Sequence, residues 1–202
     1  MLLGLDFDNT LVTYDHLFYE LAVEKKLISN KINPTKKAVR DYLRSINDEN
    51  SFTLLQGEVY GSAILRAEPS PGMIDALMKL KSHGIKMLLV SHKTRYPYAG
   101  PKYDLHKSAL SWLDKHKFFN DSFLGWTTSE VFFEATKLDK VNRINSLECT
   151  HYVDDLPEIL AMIPNSIAKI LYSPGLSDSY HDGHKVLNDW SNATPEFFKN
   201  DI

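Results

Sequence analysis

Short unbroken apolar runs alternate with amphipathic stretches along most of the chain. "LLGLDF" reads as a buried strand over Leu2–Phe7, and Ile85–Val90 as a second. A strand-like stretch follows around Asp121–Trp126, then "HYV", then "IAKILY". Runs this short, bounded by turn residues, suit strands covered on both faces. The intervening segments carry a helical period and helical punctuation. Pro71 opens one helix and Gly84 closes it; others cover Tyr103–His116, Lys137–Leu147 and "LPEILAMI".

The alternation breaks between the first strand and Pro71. Three helical patterns stand there in succession. Leu17, Leu21 and Leu27 mark the first, over His16–Ile28. Asn33 as N-cap and Pro34 at the first position open the second, and the third spans Thr53–Arg66. Strands alternating with helices predict an α/β fold, a Rossmann-like parallel sheet with helices on both faces. The interruption predicts a small helical cap at residues 15–68, inserted into a core domain of residues 1–14 and 69–202. The tail from Ser173 is rich in Ser, Asp, Gly and His and is expected to be irregular, with a short helix near Val186–Trp190.

Composition narrows the function classes. At 202 residues the chain is long enough for a real core, and 43% apolar with 24% charged residues is ordinary for a globular protein. A net charge of −3 gives no electrostatic footprint for nucleic acid or an anionic membrane. No apolar run approaches the roughly 18–20 residues that span a bilayer. "MLLGLDF" is too short for a signal-peptide core and lacks a basic start. The single Cys149 excludes an internal disulfide and a cysteine-based zinc site. A cytoplasmic location is the expectation, with no nucleic-acid or membrane partner.

In a parallel sheet, ligands bind beyond the carboxyl ends of the strands, so the residues that follow each strand carry the most information. Asp6 and Asp8 follow the first strand; Ser91, His92 and Lys93 follow the second. Lys137 and Lys140 stand at a helix start, and Asp154 and Asp155 follow "HYV". Each alone has a plain reading, since polar residues end strands and acidic pairs cap helices. Together they are complementary. Clustered carboxylates repel unless a cation joins them, and a set with no His or Cys suits a hard ion, Mg²⁺. A carboxylate can attack phosphorus to give an aspartyl-phosphate. A second carboxylate can protonate the leaving alcohol, while a hydroxyl and an ammonium hold the transferring group. The predicted chemistry is phosphoryl transfer.

At this point "DFDNT", "LLVSH", "ATKLDKV" and "HYVDDLP" resemble the motifs of the haloacid dehalogenase (HAD) superfamily, in that family's order over about residues 1–160. The resemblance implies that Asp6 is the nucleophile and a metal ligand, and that Asp8 is the acid/base with its backbone carbonyl on the metal. It makes Asp154 the second carboxylate ligand, with Asp155 acting through water or supporting contacts, and Thr10 the residue that fixes the turn. Lys137 is the expected active-site lysine, because Val141 and Ile144 follow at plus four and plus seven; Lys140 is the alternative. An Asp at position 8 points to phosphatases and phosphomutases over dehalogenases, and the insertion resembles the family's small helical cap. A Mg²⁺-dependent phosphatase of a small phosphorylated metabolite is the leading expectation. A phosphomutase is the runner-up, and a phospho-receiver domain the reading from a different class.

The segment "SHKTRYPYAGPKYD" sets His92, Lys93 and Arg95 among tyrosines in a Gly/Pro-rich loop. It reads either as solvated surface or as an anion-binding lip for the substrate. Of Arg40, Arg44, Gln56 and Tyr60 in the cap, most are expected to be ordinary helix-surface groups, with one or two reaching the substrate. His181 and His184 carry little weight as a metal pair, and Trp112 and Phe118 are expected in the core.

Overall fold

The computed structural model describes residues 1–199. Residues 200–202, assigned above to the core domain, lie outside the described residues. Nine strands and eight α-helices run along the described chain. The strands are β1 (Leu2–Leu5), β2 (Val12–Thr13), β3 (Glu68–Pro69), β4 (Lys86–His92), β5 (Val131–Glu134), β6 (His151–Asp154), β7 (Ala168–Tyr172), β8 (Tyr180–His181) and β9 (His184–Leu187). The helices are α1 (Asp15–Glu24), α2 (Lys36–Ser45), α3 (Glu49–Tyr60), α4 (Met73–Ser82), α5 (Leu105–Lys115), α6 (Lys137–Ser146), α7 (Pro157–Met162) and α8 (Pro195–Lys199).

The main sheet has the order β5-β4-β1-β6-β7-β9-β8. Every pairing is parallel except β8 with β9. Leu5 at the end of β1 stands opposite Leu89 of β4 and Val153 of β6, so three strand ends that carry polar residues lie side by side. The strands are apolar on both faces because helices cover both. On one face Leu88, Val90 and Tyr152 pack with Val141 and Ile144 of α6 and Ile159 of α7. Burial of an aliphatic or aromatic side chain contributes about 1.5–3 kcal/mol each, and this layer fixes α6 against the sheet.

Two compact units make up the chain. The first holds Met1–Val12, Pro69–Lys93 and Lys117 onward, and so the whole main sheet. The second holds Thr13–Glu68 with Thr94–His116. The ribbon of β2 and β3 marks where the chain leaves the first unit and returns. Within the second unit, Phe18 stacks on Phe52 with centroids 5.7 Å apart, and Tyr14 meets Tyr60 edge-on at 4.8 Å.

Helix α5 was expected in the core domain, but its segment belongs to the helical unit. The Trp112 indole N–H donates to the Ala67 carbonyl (2.9 Å), and the Lys115 ammonium donates to the Leu65 carbonyl (2.6 Å). An aromatic N–H must find an acceptor when buried, and this one finds it inside the insertion.

Other local expectations shift for identifiable reasons. Thr35, not Asn33, caps α2, its hydroxyl accepting from the Ala38 N–H at 3.1 Å. Helix α3 starts earlier than expected because Asp48 caps it, accepting from Ser51. Asp121–Trp126 is not a strand. Its apolar residues are buried, but the Asn120 carbonyl accepts from both Phe123 and Gly125, and Gly125 takes a positive φ of 66°; the strand follows at β5. The tail forms the β8–β9 hairpin and α8, where a helix near Val186–Trp190 had been expected.

Gly4 marks the tightest approach within the sheet layer. A Cβ there would lie 2.6 Å from the Tyr152 ring and 3.1 Å from Cys149 Sγ. The ring has no retreat, because the Tyr152 hydroxyl is tied to the Val90 carbonyl. Gly4→Ala is therefore expected to destabilise the protein by about 1–3 kcal/mol through overpacking. Urea midpoints of the two proteins check this; equal midpoints would mean that the ring yields.

Candidate active site

Asp6 lies one residue beyond β1, its N–H donating to Val153 O at 3.0 Å, so the β1–β6 ladder continues to the residue that carries the carboxylate. The next turn reverses the chain tightly. Thr10, Leu11 and Val12 all donate N–H to the Phe7 carbonyl, and Asn9 takes a positive φ of 59°, which asparagine tolerates better than most residues. Asp154 ends β6. Its Oδ1 accepts from the Leu156 N–H at 2.9 Å, which leaves Oδ2 to face Lys140.

Between Asp6 and Asp154 stands Lys140. Its ammonium donates to Asp6 Oδ1 and Asp154 Oδ2, both at 2.6 Å, and its side chain is 2% exposed. Lys137 is 45% exposed and pairs with Glu158 on α7. The expected preference for Lys137 is thus corrected. Val141 and Ile144 at plus four and plus seven do not discriminate, since Ile144 is also at plus four from Lys140. Side chains on a helix lean toward its N-terminus. A lysine one turn into α6 therefore reaches back to the strand ends, while one in the first turn overshoots into solvent.

Oxygens of Asp6, Asp154 and Asp155 lie within 4.8 Å of one another. Asp155 also accepts from the Asn9 side-chain amide at 3.2 Å. Burial, then the Asp6 charge, pushes the Asp154 carboxyl well above the usual carboxylate range, against the pull of Lys140. Burial, then the charges of Asp6 and Asp154, raises Asp155 likewise. Burial opposes the charge on Lys140, yet Asp6 and Asp154 outweigh it and its pKa stays above the usual lysine value. One ammonium shared by such a set leaves an excess of negative charge, in an all-oxygen environment that suits a hard cation.

Ser91 is buried within β4, and its Oγ has no hydrogen-bond partner among the described residues. Thr10 Oγ1 is in the same condition, while the Thr10 carbonyl accepts from the Trp190 indole at 3.2 Å. A buried hydroxyl left without a partner costs about 1–3 kcal/mol, and such exceptions in a folded protein ask for a reason.

The anion-binding lip expected from His92, Lys93 and Arg95 does not take that form, since each is engaged within the protein. His92 still belongs to β4, and its Nε2 meets the Ala135 carbonyl at 3.1 Å. Lys93 is buried and donates to both oxygens of Asp8, at 2.8 and 2.6 Å. Arg95 belongs to the helical unit, where it pairs with Asp104, the N-cap of α5, at 3.3 Å. Sequence reasoning also missed Asn9 as a partner of Asp155; its place inside "DFDNT" was the available signal.

Lys140→Met is expected to destabilise the protein by about 3–5 kcal/mol, because it strands buried carboxylates without their counter-charge. Lys137→Met should stay within about 0.5 kcal/mol, as the loss of an exposed pair does. Denaturant midpoints separate the two, and equal losses would contradict the buried bridge.

No family model matches the chain. "Putative nucleotidase OB0422" of Oceanobacillus iheyensis is 23% identical over 197 residues, covering 94% of this chain and 95% of the relative. Among solved structures, a HAD hydrolase of family IA, variant 3, from Entamoeba histolytica superposes with a TM-score of 0.59 at 13% identity, over 98% of this chain and 97% of that one. A HAD-superfamily hydrolase from Ehrlichia chaffeensis gives 0.55 at 13% identity, over 98% and 95%.

Proposed function

We propose that this chain, whose fold is that of the HAD-superfamily hydrolases, is a Mg²⁺-dependent phosphatase of small phosphorylated metabolites. The observation that carries the reading is the buried Lys140 bridge between Asp6 and Asp154 at the sheet edge. The nucleotidase name of the relative makes a nucleoside monophosphate the first substrate to try.

Asp6, Asp154 and Asp155 supply the oxygens that suit Mg²⁺, with the Asp8 carbonyl added by family resemblance. When bound, the ion neutralises charge on the phosphoryl group and on the carboxylates around it. The chain's own residues do the rest. An Asp6 carboxylate oxygen attacks phosphorus, and the bond to the leaving oxygen breaks as Asp8 gives that oxygen its proton. The Ser91 hydroxyl and the Lys140 ammonium hold the phosphoryl oxygens. Water then attacks phosphorus and passes a proton to Asp8. The Asp6–phosphorus bond breaks, which releases inorganic phosphate and restores both carboxyl groups.

Two experiments test this. Asp6→Asn should lower phosphate release from 4-nitrophenyl phosphate by at least about 10³-fold with folding retained, since an amide is a poor nucleophile. Substantial turnover by the folded variant would remove the covalent route.

The second follows from the raised carboxyls of Asp154 and Asp155. Without metal, the folded state holds protons that the unfolded chain has already released. The stability this contributes is present in acid and is lost as pH rises through neutrality. Mg²⁺ has to displace those protons. Its gain in Tm should therefore be larger at about pH 8 than at about pH 5.5. A gain independent of pH would take the ion away from this cluster.

A further inference from the structure

Both carboxylates of "DFDNT" have a lysine. The Lys140 bridge to Asp6 has a counterpart in Lys93, whose ammonium grips Asp8 by both oxygens at 2.8 and 2.6 Å. The phosphatase reading assigns no task to Lys93. Its side chain is 3% exposed, against 24% for that of Asp8. A lysine that deep in a protein surrenders its solvation and most of its rotamers, so a contact of this kind asks for a reason beyond surface pairing.

Lys93 is anchored independently of Asp8. Its backbone N–H donates to the Glu134 carbonyl at 2.9 Å, which carries the β4–β5 ladder one residue past the strand. Its ammonium lies 5.4 Å from the centroid of the fully buried Phe7 ring. Glu134 is in turn paired with Arg143 of α6 at 2.7 Å. A fixed cation thus meets a carboxylate in the turn after β1. That turn also carries an isolated bridge from Asp8 to Val12 and the left-handed Asn9. Gripping both oxygens sets the rotation of the carboxylate as well as its position.

The charge count agrees. Asp6, Asp8, Asp154 and Asp155 bring four carboxylates to one edge, where Lys93 pairs with Asp8 and Lys140 with Asp6 and Asp154. The Lys93 charge offsets the repulsion between Asp8 and the carboxylates near it.

Resting on the phosphatase reading, we infer that Lys93 is a positioning residue that holds the Asp8 carboxyl group where it serves the leaving oxygen of the substrate. The group need not touch substrate to matter. A displacement of about 1 Å at a reacting group can cost about 10²-fold in rate.

The test uses the full chain with Mg²⁺ and three probes of worsening leaving group: 4-nitrophenyl phosphate, phenyl phosphate and an alkyl phosphate. The readout is kcat/KM, which reports the step in which the leaving oxygen departs. Lys93→Met should lose about 10²-fold on the alkyl ester and less than about 10-fold on 4-nitrophenyl phosphate, because the activated phenol needs little protonation. Asp8→Asn should show the same trend. In the Asp8→Asn background, the further loss from Lys93→Met should shrink to within about 3-fold, as for two residues that act as one unit. Lys93→Arg should recover part of the alkyl-ester rate. Lys93→Gln is measured beside Lys93→Met, so that poor folding of one variant does not stand for loss of function.

An equal loss on all three esters, or the full loss persisting in the Asp8→Asn background, would overturn the inference and leave the phosphatase reading standing. Absence of phosphate release by the wild type from every probe, or undiminished release by Asp6→Asn, would overturn that reading and this inference with it.

Discussion

The ammonium of Lys140, shared between Asp6 and Asp154, is the interaction around which the first unit is arranged. It joins the ends of two neighbouring strands to one helix. For it to exist, β1 and β6 must be adjacent and in register, and α6 must cross the sheet at the height of the strand ends. The packing of Val141 and Ile144 against Val90 and Tyr152 supplies that height. The ion pair does not drive the packing. Desolvating three charged groups is expensive, and buried pairs often return little net stability. What such a pair confers is position: two carboxylates kept close and ionisable, with a fixed cation between them.

The same constraint explains why the sheet edge is polar only where it is. The middles of β1, β4 and β6 are apolar; Asp6 follows β1 directly, Ser91 is the second-last residue of β4 and Asp154 the last of β6. Leu5, Leu89 and Val153 lie level with one another, so the residues that follow them converge. Parallel strands impose this, because all their carboxyl ends lie on one side. An antiparallel neighbour would have carried its polar end to the far edge.

Much of this arrangement is legible in the amino-acid sequence itself. The strands were legible because apolar runs bounded by glycine and proline have few other interpretations, and the carboxylates because each follows a strand directly. Three things were not legible, each for a physical reason. The choice between Lys137 and Lys140 turns on side-chain direction, which a residue count does not encode. The placing of Leu105–Lys115 in the helical unit depends on the Trp112 indole reaching the Ala67 carbonyl, a partner 45 residues away. The segment Asp121–Trp126 has the burial of a strand, but the N–H groups of Phe123 and Gly125 go to Asn120 and that of Trp126 to Phe118, and hydrophobicity reports burial rather than pairing.

The loop after Ser91 teaches the sharpest lesson about reading charge. As letters, His92, Lys93 and Arg95 form one basic cluster. In the fold they part within a few residues: His92 closes β4, Lys93 turns inward to Asp8, and Arg95 lies in the helical unit, where it pairs with Asp104, the N-cap of α5. Alternation along an extended strand sends successive side chains to opposite faces, so neighbours in a strand-end sequence rarely share a surface. A basic run therefore says little about a ligand until its members are placed. Here the member that pairs with an aspartate of "DFDNT" is the one that water scarcely reaches.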